Sequence, residues 1–259
     1  MKPSTAHTLN SITGRFYDQC AESFSSTRRN SWAGWDKALS VAHVDRAPSR
    51  VLDIACGNLR FEEYIARRWP EAKINALCVD GSLPLLNAPW LQEHSGLNVT
   101  AIQEDIIGNL IDRQPVLAGT ASDTYDLIVC FGFMHHVPSS ALRAALLERM
   151  GKLLAPNGML IVSFWQFLNS PKLAEQAVRL TQPTLENHGI DSADLEPNDC
   201  FLSWQNSSTA RRYCHSFTAQ EVENLAIGAL PAARFDATFF ECDGRNGKLN
   251  RYLVAKRGE

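Results

Sequence analysis

Val51-Leu52-Asp53-Ile54-Ala55-Cys56-Gly57-Asn58-Leu59-Arg60-Phe61 decides how this chain is read. Its start, apolar but for one acid, has the length and composition of a short buried strand. Ala55-Cys56-Gly57-Asn58 are small residues that permit a tight turn, and residues 61–68 continue as a helix. Strand, small-residue turn and helix is how α/β proteins present backbone N–H groups to a nucleotide-like ligand. Small residues matter at the turn because a branched side chain would hold the ligand off the backbone.

Outward from this stretch the pattern alternates. Strands are expected at residues 50–55, 73–80, 98–103, 125–131 and 158–165. Helices are expected at 61–69, 82–91 and 139–154, the last with Ser139 or Ser140 as its cap. Pro84 falls in a first helical turn, where the missing N–H has no partner to lose. The run 125–131 is nearly all apolar, as a strand buried on both faces must be. Strands alternating with helices imply a doubly wound, mostly parallel α/β sheet.

The flanks differ. Residues 1–47 read as a helical lid, with Phe16, Tyr17, Phe24, Trp32 and Trp35 as apolar anchors around Arg28-Arg29. The core spans 48–166. Residues 167–214 are long, polar and mixed, with a helix-like piece at 172–180, and read as a substrate-side insertion. In 215–259, Thr218 caps a helix at 219–227, with Glu221 at the capping-box position. Strands at 237–242 and 251–256 then close the chain as an antiparallel hairpin around Gly244-Arg245-Asn246-Gly247.

Composition narrows the function classes. The 259 residues, 45% hydrophobic, supply one domain with a sizeable core. A net charge of −3 gives no broad basic surface, so DNA is not an expected partner. No apolar run approaches the ~18–20 residues that span a bilayer, so no membrane partner is expected. The polar N-terminus lacks a signal-peptide core. Seven cysteines, an odd number without a Cys-x-x-Cys pair, point to reduced thiols in the cytoplasm and to no metal site.

Acids and small residues fall at successive strand ends, where open parallel sheets bind ligands. Asp53 precedes the turn, Asp80 ends the second strand, Asp105 follows the third, and Phe131-Gly132-Phe133-Met134-His135-His136 follows the fourth. An acid at the end of the second strand is placed to accept ribose hydroxyls, and Asp105 an adenine amino group. The glycine fingerprint for a pyrophosphate is not met, since its positions hold Ala55, Gly57 and Leu59. A cofactor without phosphate needs only one close approach, at Gly57.

These motifs resemble those of the class I S-adenosylmethionine-dependent methyltransferases. Residues 51–58 resemble their first motif, Val79-Asp80-Gly81-Ser82 their ribose motif, residues 125–130 with His135-His136 their fourth, and residues 153–161 the entry to their fifth strand. Leu59 departs from the family, which more often has glycine there. The resemblance implies a seven-stranded Rossmann-like sheet and S-adenosylmethionine as cofactor. It would be held by Arg28, Asp53, Ala55, Cys56, Gly57, Asp80, Gly81, Ser82, Asp105, Ile106 and Phe131.

A narrower resemblance lies at both ends. Residues 17–28 with Trp32, Phe201-Leu202-Ser203-Trp204, and residues 211–217 are similar to segments of the tRNA wobble-uridine carboxymethyl methyltransferases. It implies methyl-ester formation on a tRNA carboxylate, with His136, Arg212, Tyr213 and His215, together with Arg28, holding the acceptor. A carboxylate is already ionised at neutral pH and needs no base, only cationic and hydrogen-bonding neighbours. With tRNA as substrate, the acidic net charge calls for a small activating subunit or a local basic patch. The alternatives are a small-metabolite acceptor, for which His135 or His136 would serve as base, and a non-catalytic partner subunit.

Overall fold

The computed structural model describes residues 1–27, 30–86, 95–120, 124–205, 207 and 209–259. The apolar runs form the strands β1 (Arg50–Ile54), β2 (Ile74–Asp80), β3 (Leu97–Gln103), β4 (Tyr125–Cys130) and β5 (Leu154–Trp165). After an insertion holding β6 (Asp199–Leu202) and β7 (Arg212–His215), the chain adds β8 (Phe235–Cys242) and β9 (Asn250–Arg257). The main sheet has the order β3-β2-β1-β4-β5-β9-β8. Pairing is parallel from β3 through β5. β9 runs antiparallel to both β5 and β8, as the closing hairpin was expected to do. The seven-stranded, doubly wound α/β sheet is therefore present.

Alternate side chains of the central strands enter different cores, as period-two geometry requires. Leu52, Ile54, Ile128, Cys130, Leu160 and Val162 pack on one face. There they meet α5 (Ile106–Ile111), α6 (Ser140–Leu153) and α8 (Ala219–Ala229). Val51, Leu127, Val129 and Ile161 pack on the other, against Trp35 and Leu39 of α2 (Ala33–Val41) and Phe61 and Ile65 of α3 (Arg60–Arg68). β1 and β4 are neighbours from which the chain winds outward in opposite directions, so the crevice at their carboxyl ends is the topological switch point.

Several expectations change in detail. The expected helix at 82–91 is α4 (Leu83–Leu86), and its remainder lies outside the described residues. Pro156-Asn157-Gly158, expected as a turn, falls inside β5 as an irregularity, with Asn157 at φ +63° and a register shift opposite Tyr125 and Leu127. The insertion is more ordered than its polar sequence implied. Its helix-like piece is the longer α7 (Pro171–His188), and β6 and β7 pair antiparallel as a second, two-stranded sheet. The N-terminal segment is dominated by α1 (Pro3–Ser26), which packs against β7, α4 and α5.

Candidate functional site

A cavity of about 340 Å³ opens at the switch point, floored by the strand ends and walled by α1. The turn after β1 forms it through backbone conformation. Ala55, Gly57 and Leu59 all take left-handed φ, at +59°, +58° and +62°. Only Gly57 does so without the cost of roughly 1–2 kcal/mol that a Cβ brings. A Cβ at Gly57 would meet no atom within 4 Å, so any side chain there would project into the open cleft. The N–H groups of Ala55 and Cys56 both donate to the Val79 carbonyl, at 2.7 and 3.2 Å, fixing the turn to β2.

Asp80 locks the next element. Its Oδ2 accepts the Gly57 N–H at 2.8 Å and its Oδ1 the Ser82 N–H at 2.7 Å. Each oxygen keeps a lone pair for a further donor. Burial pushes the carboxyl above its ordinary range, and the two backbone N–H groups pull it back. The Ser82 hydroxyl and the Trp35 indole N–H, both of residues on the cavity wall, are buried without a hydrogen-bond partner among the described residues. Such groups are costly unless a ligand or water completes them.

The floor is acidic but partly neutral. Asp53 and Glu62 are buried together, and burial first, then the neighbouring Glu62 carboxylate, drives Asp53 well above the carboxylate range. Burial raises Glu62 as well. Two such carboxyls share a proton rather than ionise together.

On the far wall, His136 is fixed from both sides. Its Nδ1 lies 2.8 Å from the Tyr213 carbonyl, which only accepts, so Nδ1 carries the proton. Its Nε2 then meets the Tyr17 hydroxyl of α1 at 2.9 Å. The Tyr213 N–H donates to Thr13 Oγ1 at 3.2 Å, so β7 and α1 hold this wall together.

All the expected cofactor residues that can be placed line this cavity: Asp53, Ala55, Cys56 and Gly57 on the turn, Asp80, Gly81 and Ser82 after β2, and Asp105, Ile106 and Phe131 beyond. Arg28 lies outside the described residues. Asp105 differs from its expected use. It caps α5 by accepting the Gly108 N–H at 2.9 Å, and both its oxygens also accept from Asn10 of α1, at 3.1 and 3.0 Å.

Of the expected acceptor-holding residues, only His136 is on the cavity wall. Tyr213 and His215 instead build a buried polar network. The Tyr213 hydroxyl donates to Asp199 Oδ1 at 2.7 Å, and His215 bridges Asp199 at 2.7 Å and Glu221 at 2.8 Å. Arg143 pairs with Glu196 and stands 3.6 Å from Glu221. Desolvation works against charging His215, but the hydrogen bonds from Asp199 and Glu221 outweigh it and raise its pKa. Glu221 therefore spends its carboxylate on His215 and not on the expected capping box, although Thr218 does cap α8. Arg212 is buried between the rings of Phe16 and Trp165, its guanidinium carbon 4.9 and 5.2 Å from their centroids, and does not line the cavity.

Sequence reasoning gave no role to Arg60, Asn10 or Glu62. Asn10 lay in a helix with no motif, and Glu62 read as an ordinary exposed helical acid. Arg60 carried a signal: it is the first helical residue after the glycine turn, where a side chain borders whatever the turn binds.

A five-stranded parallel run closed by an antiparallel pair, with a left-handed glycine turn after β1 and an acid ending β2, defines the class I methyltransferase architecture. Residues 24–228 match the family described as "Methyltransferase domain", and the chain belongs to it. Among curated proteins it is similar to the ubiquinone biosynthesis O-methyltransferase of Neisseria meningitidis serogroup A, 31% identical over 123 residues, 47% of this chain and 46% of that protein. The protein of that name from Psychrobacter cryohalolentis is 32% identical over 125 residues, 48% of this chain and 43% of the relative. The chain thus aligns with about half the length of the curated relatives it matches. Among solved structures, an S-adenosylmethionine-dependent methyltransferase from Clostridium acetobutylicum superposes with a TM-score of 0.60 at 14% identity, covering 94% of this chain and 99% of that one. The 1,6-didemethyltoxoflavin-N1-methyltransferase of Burkholderia thailandensis, solved with its substrate and S-adenosylhomocysteine, gives 0.59 at 17% identity over 98% and 90%. These structural likenesses speak for the fold.

Proposed function

We propose that this chain transfers a methyl group from S-adenosylmethionine to a hydroxyl of a small molecule. The observation that carries the reading is the placement of one glycine turn, Asp80 and His136 around a single cavity. The residues fit the donor. Asp80 keeps lone pairs for ribose hydroxyls, the Ser82 hydroxyl and Trp35 N–H lack partners, and Gly57 leaves the turn open to close approach. When bound, the donor supplies a methyl group on a sulfonium, reactive by in-line displacement. The chain's contribution is then alignment and exclusion of water.

A hydroxyl acceptor also needs a place for its proton. His136 offers Nε2, because Nδ1–H is committed to the Tyr213 carbonyl. The Tyr17 hydroxyl that now meets Nε2 marks where an acceptor hydroxyl would be received. The curated relatives are named as O-methyltransferases, and the toxoflavin enzyme acts on a small molecule, which supports a small acceptor over tRNA. The carboxylate-holding set implied by the tRNA resemblance lacks support, since Arg212, Tyr213 and His215 do not line the cavity.

The test is calorimetric titration with S-adenosylhomocysteine, followed by transfer of labelled methyl to a panel of small phenols, to small carboxylic acids and to bulk tRNA. Micromolar binding that Asp80→Ala abolishes while staying folded, with label on phenols, is the expected result. Label on tRNA alone would return the wobble-uridine reading. A folded wild-type chain that binds no S-adenosylhomocysteine would remove the enzyme reading.

A further inference from the structure

Arg60 stands at the end of the cavity away from Asp105, on the first turn of α3. Its Nη1 donates to the Asn30 carbonyl at 3.0 Å, and its guanidinium carbon lies 5.4 and 5.5 Å from the ring centroids of Trp32 and Trp35. These contacts fix the group without neutralising it. Among the described residues no carboxylate forms an ion pair with it, and its remaining N–H donors are unmatched. Burial pushes its pKa down to about 10, against the pull of Asp53. A partly buried guanidinium without a counter-ion is unfavourable, and it gains most from a planar anion that accepts its forked donors. The adjacent helix start adds to the same demand, since Leu59 at the cap offers no side-chain hydrogen bond to the free N–H groups of α3.

The order of sites across the sheet says which anion. Asp105 follows β3, Asp80 ends β2, and the turn leading to Arg60 follows β1, with β4 next. A nucleoside whose ribose meets Asp80 and whose base lies toward Asp105 directs its 5′ substituent across the turn toward Arg60. The 5′ substituent of the methyl donor ends in an amino acid, and its carboxylate is the planar anion required.

Resting on the methyl-donor reading of the cavity, we propose that Arg60 is the cofactor-specificity residue that binds the carboxylate of the donor's amino-acid tail, held ready by Trp32, Trp35 and the Asn30 carbonyl. Asp53, which interacts electrostatically with Arg60, leaves an acidic group at the same end for the tail's ammonium.

The experiment compares two ligands that differ only in that carboxylate, S-adenosylhomocysteine and its decarboxylated form. Both are titrated calorimetrically into wild type, Arg60→Gln and Arg60→Lys. Wild type is expected to prefer S-adenosylhomocysteine. Arg60→Gln should weaken it by about 10- to 100-fold, the worth of a charge-assisted hydrogen bond, while the decarboxylated ligand binds within about twofold of wild type. Arg60→Lys, which keeps charge but loses the fork, should fall between. Equal weakening of both ligands would show that Arg60 only shapes the turn, and no weakening of either would place the carboxylate elsewhere; each overturns the assignment. A folded wild type that binds neither ligand would overturn the donor reading and this inference together, an outcome distinct from the other two.

Discussion

Glu62 is fully buried, with both carboxylate oxygens lacking a hydrogen-bond partner among the described residues, yet it belongs to the first turn of a helix where an acid looks unremarkable. Its counterpart is Asp53, and burial lifts both above the ordinary carboxylate range. The sign for stability follows. In the pH window above that range, near ~4, the native state holds protons that the unfolded chain has released, so stability falls as pH rises through it. Glu62→Gln keeps the shape and removes one ionisation. Its melting temperature should exceed that of wild type at pH 8, and the difference should shrink toward pH 5. Scanning calorimetry across that range checks this, and parallel curves for the two proteins would mean that the carboxyls ionise normally.

At the scale of elements, β1, β4 and β5 were legible because strands covered on both faces carry unbroken apolar runs, and such runs have no other economical place. β6 and β7 were not. Their sequences, Asp-Cys-Phe-Leu and Arg-Tyr-Cys-His, are short, and their polar members are buried on one another. Asp199, Tyr213 and His215 satisfy each other across the pair, a long-range match that no local pattern announces. The same match explains why Tyr213 and His215 looked like substrate-binding residues: polar groups in an apolar setting read alike whether they face a ligand or each other. His215→Phe would leave the Asp199 carboxylate buried without its counter-charge, and should cost ~3–5 kcal/mol in urea unfolding. The raised His215 pKa places its stabilisation below the ordinary histidine value, to be lost as pH rises through the folded value. The variant's deficit should accordingly narrow in alkaline buffer. Because the network lies off the cavity, S-adenosylhomocysteine affinity should persist wherever the variant is folded. A loss of affinity in folded protein would return His215 to the site.

At the scale of the whole molecule, α1 joins parts that the sequence presents separately. Near its start Thr5 donates to Asp194 of the insertion at 2.7 Å and Lys2 pairs with the same carboxylate at 3.2 Å. Further along, Asn10 bonds Asp105, Thr13 accepts from β7 and Tyr17 meets His136. Near its end Ser25 accepts from Asn58 on the turn after β1, at 3.1 Å. The expected lid is thus a helix laid along the cavity wall, and the contacts listed here are mostly polar, many of them partly exposed. Contacts of this kind open locally at low free energy compared with the apolar strands beneath. A ligand in the cavity must either pass α1 or be covered by it, so occupancy and helix docking are linked: whatever binds the docked form better shifts the molecule toward it. Hydrogen exchange with and without S-adenosylhomocysteine measures the linkage. Amides of residues 5–20 should gain protection on binding, and those of β6 and β7 should gain with them, because Asp194 and the Thr13–Tyr213 bond couple the insertion to the helix. Amides in β1, β4 and β5, already closed by the core, should not change. Protection confined to the turn after β1 and to Ser82 would show instead that α1 is a fixed wall, with the ligand entering past it.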